Sequence, residues 1–390
     1  MALPSSCAYI SRTARSLTNL DSALWLLYPQ TSNAVRSICT VHLAKQRISL
    51  FRSHPRRQVH AGPVDLPSKV SVSRYLLTRL YQLGVRSVHG VPAGLSLRVL
   101  EDFAPAGVRF IGSCNELNAA YAAEGYARVK GISALFTSFG VGELSAVNGV
   151  ASAYADHSPL VHIVATPSTQ EQNSGAIVQH SLGDGNLRIF AEIHAKITVA
   201  QVNLNCPDNV PEMCDWVLQQ CVRNRRPVYI ELPSDMQSRQ VSASNLSHPL
   251  DVAPPLNNEE HEDAAVDLVL KRMYSSQRPM IRTDGLAAGY DIDQELNQLV
   301  RRTGFPTMSV PYGNGIIDHM SHENYHGVHA GKFGKLNHTA YAKSTDLTLL
   351  FGPLLSGNNT IAFGGGPDVV ARMWSPIHRQ RLLFEALRSR

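Results

Sequence analysis

The chain has 390 residues, 44% hydrophobic and 17% charged, enough for two cores, and its longest apolar runs fall far short of the ~20 residues a membrane span needs. The formal net charge of +5 is unevenly placed: residues 1–60 hold eight Lys or Arg and one acid, leaving 28 basic and 30 acidic residues elsewhere. A body without a basic excess argues against nucleic acid as a partner, and six cysteines with no C-x-x-C pair and no partnered histidine spacing argue against zinc and a disulfide framework.

Residues 1–66 are rich in Arg and Ser and poor in acids, so they read as a disordered or targeting extension of mitochondrial type. A helix is predicted over 71–83, closed by Gly84, then a strand over 85–88 and the turn His89-Gly90-Val91-Pro92-Ala93-Gly94-Leu95-Ser96-Leu97. The segment Asn115-Glu116-Leu117-Asn118-Ala119-Ala120-Tyr121-Ala122-Ala123-Glu124-Gly125-Tyr126-Ala127-Arg128 reads as a helix with Leu117, Ala120, Tyr121 and Glu124 on one stripe. Its alanines form a thin side that another helix can approach closely. Ser113 and Glu116 have the S-x-x-E spacing of a capping box, in which Glu116 only satisfies a backbone donor; a first-turn carboxylate can also serve chemistry.

Further strands are predicted over 132–137, 160–165 and 227–232, with a helix over 208–223 that carries Pro211 in its first turns. Gly140-Val141-Gly142 follows a strand and opens a helix as a dinucleotide loop does, but Ser145 stands where the third glycine belongs. The alternation over 67–245 implies an α/β domain with a doubly wound parallel sheet. Residues 246–262 combine prolines with low apolar periodicity and read as a linker. A second α/β domain follows over 263–365, with helices over 263–274 and 294–302 and extended segments over 280–283, 307–310 and 347–351. Gly364-Gly365-Gly366-Pro367 is a turn, and 366–390 reads as a diverged tail.

Together with Thr137-Ser138-Phe139-Gly140-Val141-Gly142-Glu143-Leu144-Ser145-Ala146-Val147-Asn148-Gly149 and the pair Asp156-His157, the segment led by Glu116 resembles thiamine-diphosphate-dependent 2-oxo acid decarboxylases of the pyruvate decarboxylase type. The similarity runs from about Val70 to Phe363, roughly three quarters of the chain. It implies a pyrimidine-binding domain over 67–245 and a Rossmann-like middle domain over 263–365, with the family's third, diphosphate-binding domain absent. It also implies that Glu116 hydrogen-bonds N1' of the cofactor's aminopyrimidine and that the turn at Gly140 and Gly142 lies beside that ring. Val178-Gln179-His180-Ser181-Leu182-Gly183-Asp184-Gly185 resembles the family's histidine pair with Gln179 in place of the first histidine; His180 is then expected to meet the substrate carboxylate or move a proton, its other reading being an ordinary loop histidine.

Two departures bear on activity. Gly94 stands where the family has an aspartate that takes part in proton transfer, and Asp156 and Asp184 are left as candidates to compensate. Gly183-Asp184-Gly185 imitates the family's Mg²⁺ motif but falls in the histidine loop, and no adjacent asparagine pair follows at the right distance, so no metal ligands are expected in this chain. The resemblance implies thiamine diphosphate and Mg²⁺ as cofactors, a small 2-oxo acid as substrate and a homo- or hetero-oligomer joined through the pyrimidine domain, with Gly112, Ala119, Ala120 and Ala123 allowing close helix packing at the interface. It implies a cytoplasmic location, against the mitochondrial reading of the N-terminus. The expected activity is that of a lyase, with the isolated chain inactive; the alternative is a catalytically inactive relative that pairs with or regulates an intact paralogue.

Overall fold

Helix α1, Val72–Gln82, begins where the Ser71 hydroxyl accepts the Arg74 N–H at 3.1 Å and ends at Leu83, beyond which Gly84 (φ +95) takes a conformation that costs a glycine little. Its Arg79 is only 2% exposed and forks onto both oxygens of Asp215 at 2.7 Å, tying α1 to a later helix over Val210–Asn224. This computed structural model describes residues 67–253, 258–290, 292–329 and 338–354, with 356, 357, 359, 371 and 372 beyond them. The extension before 67 and the turn at 364–367 lie outside the described residues. Two units follow from the chain's contacts, one spanning 54–256 and one that includes 257–390.

In the first unit, β1 (Lys69–Ser71) pairs antiparallel with the short strand β8 (Gln240–Ser242). The main sheet holds β2 (Ser87–Gly90), β3 (Arg109–Gly112), β4 (Ser133–Ser138), β5 (Leu160–Thr166), β6 (Gln201–Asn203) and β7 (Val228–Pro233), all parallel, in the order β3-β2-β4-β5-β7-β6. This is the doubly wound arrangement expected, with short β3 and β6 added at the edges.

Strand alternation sorts the two faces. Val88, Ala134, Phe136, Val161, Ile163 and Ile230 join the core that includes α1 and Val210–Asn224. Leu135 packs on the opposite face with α3 (Glu116–Lys130) and α4 (Val141–Ala155), where Ala119, Ala120, Ala123, Ala146, Val150 and Ala153 are fully buried. A Cβ at Gly149 would lie 2.5 Å from the Ala120 Cβ, so small residues set the spacing of these two helices. The alanines expected at a subunit interface are therefore used up inside the chain, because α4 already covers them. Between the main strands lie α2 (Leu97–Phe103), α5 (Thr169–Ser174), α6 (Ile189–His194) and α7, the helix over Val210–Asn224 already described.

The stretch expected as a linker from 246 is partly structure. Leu246 and Leu250 are 3% and 5% exposed and belong to the first unit's core, and α8 (Glu259–Ser275), capped by Asn258, starts four residues ahead of the predicted helix. The Asn258 carboxamide and three acids in the first turn supply the start that apolar periodicity does not mark.

The second unit is again a parallel sheet, with β9 (Pro279–Thr283) central among β10 (Thr307–Ser309), β11 (Tyr325–Val328), β12 (Leu347–Phe351) and β13 (Ala371–Arg372), in the order β11-β10-β9-β12-β13. Helices α8 (Glu259–Ser275) and α9 (Asp293–Thr303) bury Leu270, Met273, Leu296 and Val300 against Ile281, Leu349 and Phe351. The tail expected from 366 thus contributes a strand at 371–372.

Candidate active site

Helix α3 opens at Glu116, but not by the predicted capping box. The residue before it, Asn115, has extended backbone, and its carboxamide oxygen accepts the Asn118 N–H at 2.7 Å. Asn115 is the cap and Glu116 the first helical residue, so Ser113 is too far upstream for the reciprocal pair. The Glu116 side chain is half-buried and has no hydrogen-bond or ion-pair partner among the described residues. Its Oε1 faces the bare side of Gly142: a Cβ built there would lie 2.9 Å from that oxygen and 2.5 Å from the Ser138 hydroxyl.

Gly142 is presented by the turn from β4 into α4. Gly140 has φ +75 and ψ −117, a conformation open to glycine alone, and a Cβ on it would overlap the carbonyl oxygen of His180. His180 is itself left-handed (φ +71), on a loop pinched at its base where a Cβ on Gly185 would lie 2.7 Å from the Gly175 carbonyl oxygen. The structure thus brings Glu116, Gly140, Gly142 and His180 to one turn. The contact from His180 is made by its backbone, while its imidazole is exposed.

The two acids considered as compensating groups are placed otherwise. Asp156 caps the C-terminus of α4, at the opposite end from Gly140 and so about 24 Å along the helix, where it pairs with Arg128. Asp184 accepts the Asn186 N–H at 3.0 Å and closes its own turn. A Cβ at Gly94 would touch nothing within 4 Å. Among the described residues no group of three His, Cys, Asp or Glu is placed to hold a metal.

Sequence reasoning passed over the polar cluster behind the turn. Glu143, wholly buried, accepts the Gly140 N–H at 2.8 Å and the Tyr229 hydroxyl at 2.6 Å. Burial pushes its carboxyl up to about 8, against the lowering effect of those two hydrogen bonds. Tyr229 stacks on His194 at 5.0 Å, and His194 lies 5.0 Å from His162. Burial lowers both imidazoles, His162 further because of His194. Nearby Glu231 is raised by burial to about 7 although it is paired with Arg188. The available signal was polar residues, His162, Tyr229 and Glu231, at alternate positions of strands predicted as apolar.

A family model described as the N-terminal TPP binding domain of thiamine pyrophosphate enzymes matches residues 70–186, and one described as their central domain matches 266–369. The chain is 42% identical over 299 residues to pyruvate decarboxylase of Aspergillus fumigatus, covering 77% of this chain and 52% of that protein. It is 42% identical over 306 residues to the pyruvate decarboxylase of Aspergillus parasiticus, covering 78% and 52%. With pyruvate decarboxylase isozyme 1 of Saccharomyces cerevisiae it shares 36% over 297 residues, covering 76% and 53%. The chain spans about half the length of the curated relatives it matches.

Proposed function

Since the chain belongs to the thiamine pyrophosphate enzymes and carries N-terminal and central domains of that family, we propose that it serves the thiamine-diphosphate-dependent, non-oxidative decarboxylation of a 2-oxo acid, giving an aldehyde and CO₂. One observation carries the reading: the Glu116 carboxylate is half-buried, is unpartnered among the described residues, and sits against Gly142, whose missing side chain lets it come that close. A half-buried carboxylate with no donor of its own would accept or share a proton with a ring nitrogen, and the pyrimidine end of the cofactor offers one. When bound, thiamine diphosphate supplies the electron sink for the carbanion chemistry.

Within this proposal Glu116 holds the ring and shares a proton at its N1' edge, and the Gly140–Gly142 turn orients the ring. The exposed His180 imidazole is free to meet a substrate carboxylate or to donate a proton. Gly94 contributes no acid. Among the described residues no three His, Cys, Asp or Glu side chains gather as a metal cluster; in this proposal the diphosphate and its Mg²⁺ are held with a partner in an oligomer. Val141, Ile177 and Leu182, 55%, 78% and 62% exposed around the turn, are apolar surface that a partner would cover. A cytoplasmic location is part of the same proposal.

Complementation tests it. The 390-residue chain is mixed with an intact relative whose own equivalent glutamate has been replaced by glutamine, and aldehyde formation from pyruvate is followed by NADH oxidation through alcohol dehydrogenase. The wild-type chain is expected to restore activity, and Glu116→Gln to lose it by about 10²-fold or more. Equal rates with the two chains, or no restoration by either, would sink the reading.

A further inference from the structure

Glu143 is a buried carboxyl with no cationic partner among the described residues. Its nearest basic atom, Nδ1 of His194 at 3.6 Å, is occupied by the Phe190 carbonyl at 2.9 Å, and Nε2 of His194 has no hydrogen-bond partner. A protonated imidazole needs acceptors for both N–H groups, so the ring is neutral and leaves Glu143 without a counter-charge. Burying such a group costs stability, and its hydrogen bonds offset that cost only in part. A capping glutamate alone explains the bond to Gly140, which lies three residues before it, but not full burial or the bond to Tyr229, 86 residues away in sequence.

What Glu143 joins is informative. On one side is the N–H of Gly140, whose glycine-only backbone admits the His180 carbonyl and sets Gly142 beside Glu116. On the other is the hydroxyl of Tyr229, fixed in the middle of β7 and 1% exposed. We propose that Glu143 is the positioning residue of the candidate site: by bridging the Gly140 N–H to the Tyr229 hydroxyl, it ties the β4–α4 turn to the sheet and so sets the approach of Gly142 to Glu116 and of Gly140 to His180. The naming of the site as a pyrimidine pocket rests on the proposed function; the dependence of the turn on Glu143 does not, and it is measurable with no cofactor present.

The titratable and charged groups around the carboxyl are Tyr229 and Glu231 on β7, His194 on α6, His162 on β5 behind His194, and Arg188, held to Glu231; Glu116 of α3 faces the same turn at Gly142. The test uses the full chain labelled with ¹⁵N-glycine. In wild type the Gly140 amide is expected to shift with pH between about 6 and about 9.5, with its midpoint near the raised value of about 8. In Glu143→Gln, which keeps a carbonyl acceptor, the amide stays protected from hydrogen exchange but its pH response goes flat. In Glu143→Ala, exchange at Gly140 accelerates by at least about tenfold relative to amides in the middle of β7.

Should the alanine variant fail to fold, the comparison of wild type with glutamine still decides. A Gly140 amide that does not titrate, or titrates alike in wild type and Glu143→Gln, overturns the proposal. A flat glutamine response together with failed complementation would retain the positioning role and retire the cofactor reading. Restored complementation with an unresponsive Gly140 would do the reverse.

Discussion

Gly140 and Gly142 are two residues apart and are glycines for different reasons. At Gly140 a side chain meets rigid backbone, the His180 carbonyl, and must also take φ +75. Gly140→Ala is therefore expected to lower stability by more than about 2 kcal/mol, read as the shift in urea midpoint. At Gly142 the added methyl meets only the ends of Ser138 and Glu116, which can swing aside. Gly142→Ala should stay within about 1 kcal/mol of wild type yet displace Glu116, lowering the complementation rate by about tenfold or more. Gly94 is different again: the space around it is open and its φ is not in the left-handed region, so Gly94→Asp is expected to fold normally and to raise the complementation rate. The sequence pointed to all four residues that meet at the turn, because their motifs are long and continuous. It could not separate the capping use of Glu116 from a chemical one. That choice turned on whether Asn115 or Ser113 caps α3, a difference of two residues in where the helix starts.

At the scale of elements, β5 and β7 carry apolar residues on one face and His162, Tyr229 and Glu231 on the other, where α4 and α6 supply Glu143 and His194. The pairing His162↔Tyr229 in the sheet places these groups side by side. Their burial makes stability depend on pH in a defined direction. Glu143 binds its proton more tightly folded, at about 8, than at the ordinary 4.5 of an exposed glutamate, and Glu231 is raised likewise to about 7. The favourable contribution is therefore complete below about 4.5 and is lost as pH rises towards about 8. Denaturant midpoints are expected to fall between about pH 5.5 and about pH 8.5, by an amount on the order of a few kcal/mol. Glu143→Gln should make the slope shallower, leaving the part due to Glu231. A midpoint that rises across this range would show that the two carboxyls are ionised in the fold.

For the whole molecule, the two units each close a parallel sheet, while the chain matches about half the length of its curated relatives. With no metal cluster among the described residues, calorimetry of the chain alone with thiamine diphosphate and Mg²⁺ is expected to give a dissociation constant weaker than about 1 µM; tighter binding would place ligands for the diphosphate within these 390 residues. The alternation of the longer helices and central strands, the two α/β domains and the segment led by Glu116 were legible in the residues themselves, since periodicity, caps and turn glycines act over a few positions of chain; the short edge strands β3, β6, β11 and β13 were not. Tertiary structure alone decided that the alanines of α3 are spent on α4, that Asp156 lies at the far end of that helix, and that Glu143 is bonded to Tyr229. Each of these depends on which distant strands and helices become neighbours, and sheet order is set by the packing of the whole unit, not by any local stretch.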